Sequence, residues 1–115
     1  MAVKKCHRGD VWFVDLDPTK GREQGGRRPC LIVSDDSLNT SPAELVIVIP
    51  ITSKKKRIPS HVEIGPPEGG LQLRSFIKCE DIRSITAERL IKAMGSVNHA
   101  TLEKVEERLR FLLSL

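Results

Sequence analysis

Up to Val97 the chain is a succession of short β-prone runs broken by glycine, proline and Asn/Asp/Ser clusters, and only after Asn98 does the apolar spacing become helical. That single change of period limits the fold to a mainly β domain, a small and strongly bent antiparallel sheet or barrel closed by one C-terminal α-helix. Residues 10–16 alternate, with Val11, Phe13 and Asp15 on one face and Trp12, Val14 and Leu16 on the other. Pro29 permits a second strand to begin, and Cys30, Leu31, Ile32 and Val33 are apolar enough to be buried on both faces. Residues 34–42 are dense in side chains that bond their own backbone, which predicts a turn or a single helical turn. The run 45–49 is the most β-prone of all and reads as a central strand stopped by Pro50, Ile51 and Thr52. A short strand is expected over 61–64, a break over 65–70 and a strand over 73–78. Residues 81–85 either continue that strand or bend away, and 89–97 form the last strand. Asn98 then suits an N-cap, Leu102, Val105, Leu109 and Leu112 share one helical face, and Glu106 and Arg110 are spaced to pair on the outside.

The first two strands should form a hairpin, and the connection between them, residues 17–28, has twelve residues where about 2 to 5 would serve. Gly21, Gly25 and Gly26 allow close backbone approach, and Arg22, Arg27 and Arg28 suit phosphate. Composition alone leaves two readings open, a solvated surface loop or a ligand-binding one. Charge favours the second. In this loop four basic residues face two acids, and in residues 52–60 Lys54, Lys55, Lys56 and Arg57 are unopposed. Together these loops carry more positive charge than the chain's net +4, so the remainder is net acidic. Positive charge concentrated on two loops makes a field suited to a polyanion, and nucleic acid is the reading it favours.

At 115 residues and 12.8 kDa the chain reads as one domain, 1–115. The start is charged where a signal sequence needs an apolar core, and no run reaches membrane-spanning length, so a cytoplasmic location with no membrane partner is expected. Cys6, Cys30 and Cys79 lack paired spacing and signal neither a disulfide framework nor a zinc site. Cys30 and Cys79 read as core residues, and Cys6 beside His7 as an incidental terminal neighbour. The acids are scattered, with Asp35-Asp36 and Glu80-Asp81 the only adjacent pairs before the C-terminal helix, so no metal site is expected. No phosphate-binding Gly-Lys-Ser/Thr loop and no serine nucleophile elbow is present, and no cofactor is expected. His61, which opens a strand beside the basic loop, is a candidate; His99 reads as surface.

One chemistry needs neither metal nor cofactor. The 2′-OH of RNA can attack the neighbouring phosphate, leaving a 2′,3′-cyclic phosphate and a 5′-OH, if the ribose is oriented, a proton removed and charge on phosphorus stabilised. Arginine suits the last task because its planar fork engages two phosphate oxygens. Arg28, followed by Pro29 at a strand start, is the best ordered candidate.

The segments Arg8-Gly9-Asp10-Val11-Trp12, Leu16-Asp17-Pro18-Thr19, Glu23-Gln24-Gly25-Gly26-Arg27-Arg28-Pro29, Pro50-Ile51-Thr52-Ser53 and Ile82-Arg83-Ser84-Ile85 resemble, in the same order, those of the MazF/PemK toxins of bacterial toxin–antitoxin pairs. The resemblance implies an SH3-like barrel, a homodimer and sequence-specific cleavage of single-stranded mRNA. It also implies a cognate antitoxin whose acidic C-terminal segment covers the RNA groove. Carried over by position, the family's catalytic arginine falls on Arg28 and its catalytic threonine on Thr52. An acid–base pair found in part of the family falls on Lys78 and Glu80, where the charges are kept but the residue types differ. RNA contacts are expected from Lys20, Arg22, Glu23, Gln24, Arg27, Lys54, Lys55, Lys56, Arg57 and His61. With four aromatics, Trp12, Phe13, Phe76 and Phe111, base stacking is limited and specificity depends on hydrogen bonds to splayed bases. Two alternatives of another class remain, a non-enzymatic toxin that traps gyrase and an RNA-binding module on the same barrel.

Overall fold

In the computed structural model the elements, in chain order, are β1 (Asp10–Asp15), β2 (Arg27–Ile32), α1 (Asp36–Asn39), β3 (Leu45–Thr52), β4 (His61–Ile64), β5 (Ser75–Lys78), β6 (Arg83–Thr86), β7 (Leu90–Ser96) and α2 (His99–Leu113). The structure describes residues 5–115. The reading of the charged start therefore rests partly on residues 1–4, outside the described residues.

All pairings are antiparallel, in the order β4-β5-β3-β2-β1-β7, with β6 also paired to β3. The three middle strands are buried on both faces, which is why they read as nearly continuous apolar runs. Val11, Leu31, Ile49 and Ile51 join one core with Val62, Ile64, Ile77 and Val105. Trp12, Val14, Leu16, Cys30, Ile32, Val46 and Val48 join a second with Cys6, Ile85 and Leu90. Each fully buried aliphatic side chain contributes about 1.5–3 kcal/mol relative to exposure. Cys6, 1 % exposed, is thus a core residue and not an incidental neighbour of His7.

Strand β3 does not stop at Pro50 but runs on to Thr52. Proline lacks an N–H and is tolerated where a ladder bond is not required. Pro50 meets Cys30 of β2 on one edge, and on the other it lies where that edge changes neighbours, from β6 at residues 45–48 to β5 at 51–52. Residues 73–85 supply both neighbours. The strand begins at Ser75 rather than 73, with Leu73 exposed and the Ser75 hydroxyl donating to its carbonyl. A 3₁₀ turn at Cys79–Asp81 then bends the chain out, and β6 resumes along the same edge of β3. The expected helical turn appears as α1, capped by the Asp35 side chain, which accepts from the Ser37 N–H.

Helix α2 begins as expected, with Asn98 Oδ1 accepting from the Thr101 N–H at 2.8 Å, a cap worth about 1 kcal/mol. It packs on β4 and the Cys79–Asp81 turn through Val105, with Leu102 and Leu109 beside it. Leu112 is 37 % exposed, since the last turn runs past its partners. Glu106 does not pair with Arg110. Its carboxylate takes Arg8 at 2.5 Å, and the same guanidinium donates to the Val33 carbonyl, tying the segment before β1 to the end of β2 and to α2.

Candidate active site

Strands β1 and β2 carry the base of the long loop. Leu16 N–H donates to the Gly26 carbonyl, Asp17 Oδ1 accepts from Gly26 N–H at 3.0 Å, and Arg89 donates to the Asp15 and Asp17 carbonyls. Arg28 lies within β2, opposite Val14. The last β2–β3 pair is Cys30 with Pro50, and Arg28 and Thr52 each lie two residues beyond it on their own strands.

Arg28 and Thr52 line a recess of about 170 Å³ together with Gln24, Lys54, Lys56 and Lys78. Four cations and no carboxylate form its walls, an arrangement that attracts a phosphodiester. Arg28 Nε donates to the Gly25 carbonyl at 2.8 Å, which sets the plane of the guanidinium; among the described residues no hydrogen bond or ion pair engages its two terminal nitrogens. Thr52 is 8 % exposed, and its Oγ1 accepts from the Lys54 N–H at 3.2 Å. The hydroxyl proton remains available for donation to an anion. Lys78 donates to Gln24 Oε1 at 2.8 Å and pairs with Asp81 at 2.9 Å. Arg28 also lines an adjoining groove of about 380 Å³, with Arg27, Ser53 and Gln72 over Ile51 and Leu71.

The remaining expected contact residues lie elsewhere. Residues 54–58 form no regular element, and Arg57 takes a left-handed backbone with φ of +51°. Lys54 and Lys56 reach the recess, whereas Lys55 and Arg57 line a separate shallow pocket with His61 and Phe76. His61, its side chain 3 % exposed, holds Glu80 at 2.8 Å through Nε2, and Ser60 donates to the other carboxylate oxygen at 2.7 Å. Glu80 is therefore engaged by Ser60 and His61 and is not among the residues lining the recess. Lys20 and Glu23 close a turn on themselves, N–H to Oε1 at 3.0 Å. Lys20, Arg22 and Glu23 do not line the recess, and Arg27 lines the groove and a second pocket beside Asp15, Asp17 and Arg89 instead, facing Asp15 at 3.7 Å. Burial pushes the thiols of Cys30 and Cys79 up to about 12, which leaves both as inert core residues.

Partial burial would raise the Glu80 carboxyl, but hydrogen bonds from Ser60 and its own backbone N–H, with the His61 contact, outweigh it and hold the group below its ordinary value of 4.5. A carboxyl lowered by folding stabilises the fold above its unfolded pKa and loses that contribution as pH falls through the folded value. Glu80→Gln should therefore melt below the wild type above pH 4.5, and the gap should narrow steadily as the pH is lowered beneath that value. Melting curves across that range check this; a gap that widens on acidification would contradict it.

Asp81 was the residue sequence reasoning missed. Its only signal is the spacing Lys78-x-x-Asp81, which brings the two together because the chain bends away after β5 in a 3₁₀ turn, the second of the two courses left open for it.

Residues 7–113 match the profile of the family described as PemK-like, MazF-like toxin of type II toxin–antitoxin system. The chain belongs to that family. Among relatives of this PemK/MazF-family toxin, endoribonuclease EndoA of Bacillus subtilis is 39 % identical over 109 residues, covering 94 % of each chain. Endoribonuclease MazF9 of Mycobacterium tuberculosis is 37 % identical over 113 residues, covering 94 % of this toxin and 96 % of the relative. The crystal structure of MazF from Deinococcus radiodurans superposes with a TM-score of 0.85 at 26 % identity, over 96 % of this toxin and 97 % of that chain. A mycobacterial endoribonuclease solved in complex with its cognate antitoxin superposes at 0.80 with 27 % identity, covering 96 % and 97 %. The sheet capped by a C-terminal helix is thus the fold of MazF toxins, as the sequence resemblance implied.

Proposed function

We propose that this toxin is a sequence-specific, metal-independent endoribonuclease that cleaves single-stranded mRNA by 2′-OH attack, giving 2′,3′-cyclic phosphate and 5′-OH ends. The observation that carries the reading is the recess that Arg28 and Thr52 line together with three lysines. The relatives named as endoribonucleases support it over a gyrase-trapping toxin or a non-catalytic RNA-binding module.

In this reading the scissile phosphate enters the recess. Arg28, its plane held by the Gly25 carbonyl, presents its terminal N–H groups to the non-bridging oxygens and stabilises the charge that builds as the fifth bond to phosphorus forms. Thr52 donates its hydroxyl proton to the same phosphate and positions it. It does not take the 2′-OH proton, because an unperturbed hydroxyl is too weak a base at neutral pH; that proton passes to solvent water as the 2′-oxygen bonds phosphorus, and solvent returns one to the 5′-oxygen as its bond to phosphorus breaks. Glu80, turned to His61 and Ser60, and Lys78, donating to Gln24 and Asp81, have no acid–base part in this reading. Among the described residues no group of three or more His, Cys, Asp or Glu side chains is placed to hold a metal ion, so the charge stabilisation falls to the cations. Lys54 and Lys56 hold the RNA backbone, and Arg27, Ser53 and Gln72 along the groove face neighbouring nucleotides.

The chain works as one domain, as a homodimer in the cytoplasm, where mRNA is found. No helix of the described residues is long and apolar enough to cross a membrane. Its inhibitor is a cognate antitoxin whose acidic C-terminal segment competes for the basic recess. Incubating the purified protein with a long single-stranded RNA in EDTA should give discrete fragments with 5′-OH ends. Intact RNA, or cuts that appear only when magnesium is restored, would contradict the proposal.

A further inference from the structure

Resting on the ribonuclease reading, we propose that Lys78 is a further phosphate-binding residue, held by Gln24 as an internal ligand until the RNA backbone displaces it. Between Pro18 and Gly25, two hydrogen bonds join the loop to the described residues beyond it: Lys78 Nζ to Gln24 Oε1 at 2.8 Å and Arg28 Nε to the Gly25 carbonyl at 2.8 Å. Both donors are cations of the recess, and both acceptors are neutral amide oxygens of adjacent loop residues. The loop thus places two oxygens where a phosphodiester would place its own. An anionic phosphate oxygen adds a charge–charge attraction that the neutral amide oxygen of Gln24 lacks, so RNA wins the exchange at Lys78. Asp81, 2.9 Å from Nζ, keeps the ammonium at the wall of the recess when Gln24 leaves. The side chain is 12 % exposed, so Lys78 is built into the wall and is not a solvated surface lysine. The released loop is then free to move over the bound strand, which couples backbone binding to loop rearrangement.

The test uses binding of a fully 2′-O-methylated single-stranded RNA, which cannot be cut by 2′-OH attack, measured against salt concentration. Each phosphate contact contributes about 0.7 to the slope of log affinity against log salt for single strands. Lys78→Gln should lower the slope by about that amount, and Lys78→Arg, which keeps the charge, should restore it. Gln24→Ala should bind a few-fold more tightly at unchanged slope, and that gain should vanish in the Lys78→Gln background. An unaltered slope in Lys78→Gln, or weaker binding by Gln24→Ala, would overturn the proposal. If the wild type cuts RNA in EDTA while the slopes stay the same, only this inference fails. If it binds the methylated RNA but leaves unmodified RNA intact, the ribonuclease reading fails.

Discussion

Replacing Arg28 with alanine should slow cleavage of single-stranded RNA by about 10²–10³-fold, the loss seen when a single preorganised donor to a developing oxyanion is removed. Binding of the same RNA should fall far less, because Lys54, Lys56 and Lys78 still line the recess. The contrast follows from geometry. The lysines offer point charges on flexible stems, whereas Arg28 emerges from a strand and its guanidinium plane is held by the Gly25 carbonyl. Arg28→Lys keeps the charge but loses the fork, and should recover only part of the rate. Single-turnover cleavage measured beside equilibrium binding separates the two effects. Equal losses in rate and affinity would make Arg28 another backbone contact.

The largest effect on stability is expected away from the site, where the 3₁₀ turn Glu68–Gly70 meets β7. A Cβ on Gly70 would lie 2.1 Å from the Met94 carbonyl oxygen, and the residue has φ of +70°. Gly95 leaves the complementary gap, since its own Cβ would stand 2.7 Å from the Gly70 nitrogen. Two backbones touch here with no room for a methyl group. Gly70→Ala should cost about 3 kcal/mol or more, combining overpacking of about 1–3 kcal/mol with about 1–2 kcal/mol for the left-handed conformation. Gly21 is the control. It has φ of +59° but nothing within 4 Å of an added Cβ, so Gly21→Ala should cost only about 1 kcal/mol. Urea unfolding of both variants checks the difference, and equal costs would mean that the turn is not seated on β7.

What could be read before the structure depended on how local each signal was. The alternation in residues 10–16 and the cap at Asn98 are fixed by neighbours within a few residues, and both appear where expected. Pro50 was misleading because its tolerance inside β3 depends on which strands lie on either edge, a property of the sheet and not of the run 45–52. Glu106 had a plausible local partner in Arg110 but met Arg8, nearly the whole chain away, because α2 packs beside the start of β1. At the site, Arg28 and Thr52 could be named from the resemblance and both line the recess. The division of the basic loop into Lys54 and Lys56 on one side and Lys55 and Arg57 on the other depends on the irregular path of the loop backbone, which composition did not reveal. The bridge from Lys78 to Gln24 joins residues 54 apart in sequence, and no spacing rule reaches that far.

The central claim is that the recess holding Arg28 and Thr52 turns a ribose 2′-OH on its own phosphate. The most direct measurement is to map one cleavage site, resynthesise that RNA with a single 2′-deoxynucleotide on the 5′ side of the scissile bond, and compare the two substrates in EDTA. The account predicts that the deoxy substrate is bound but not cut at that position. Cleavage at the deoxy position would show that water or another nucleophile attacks phosphorus, and would contradict the account.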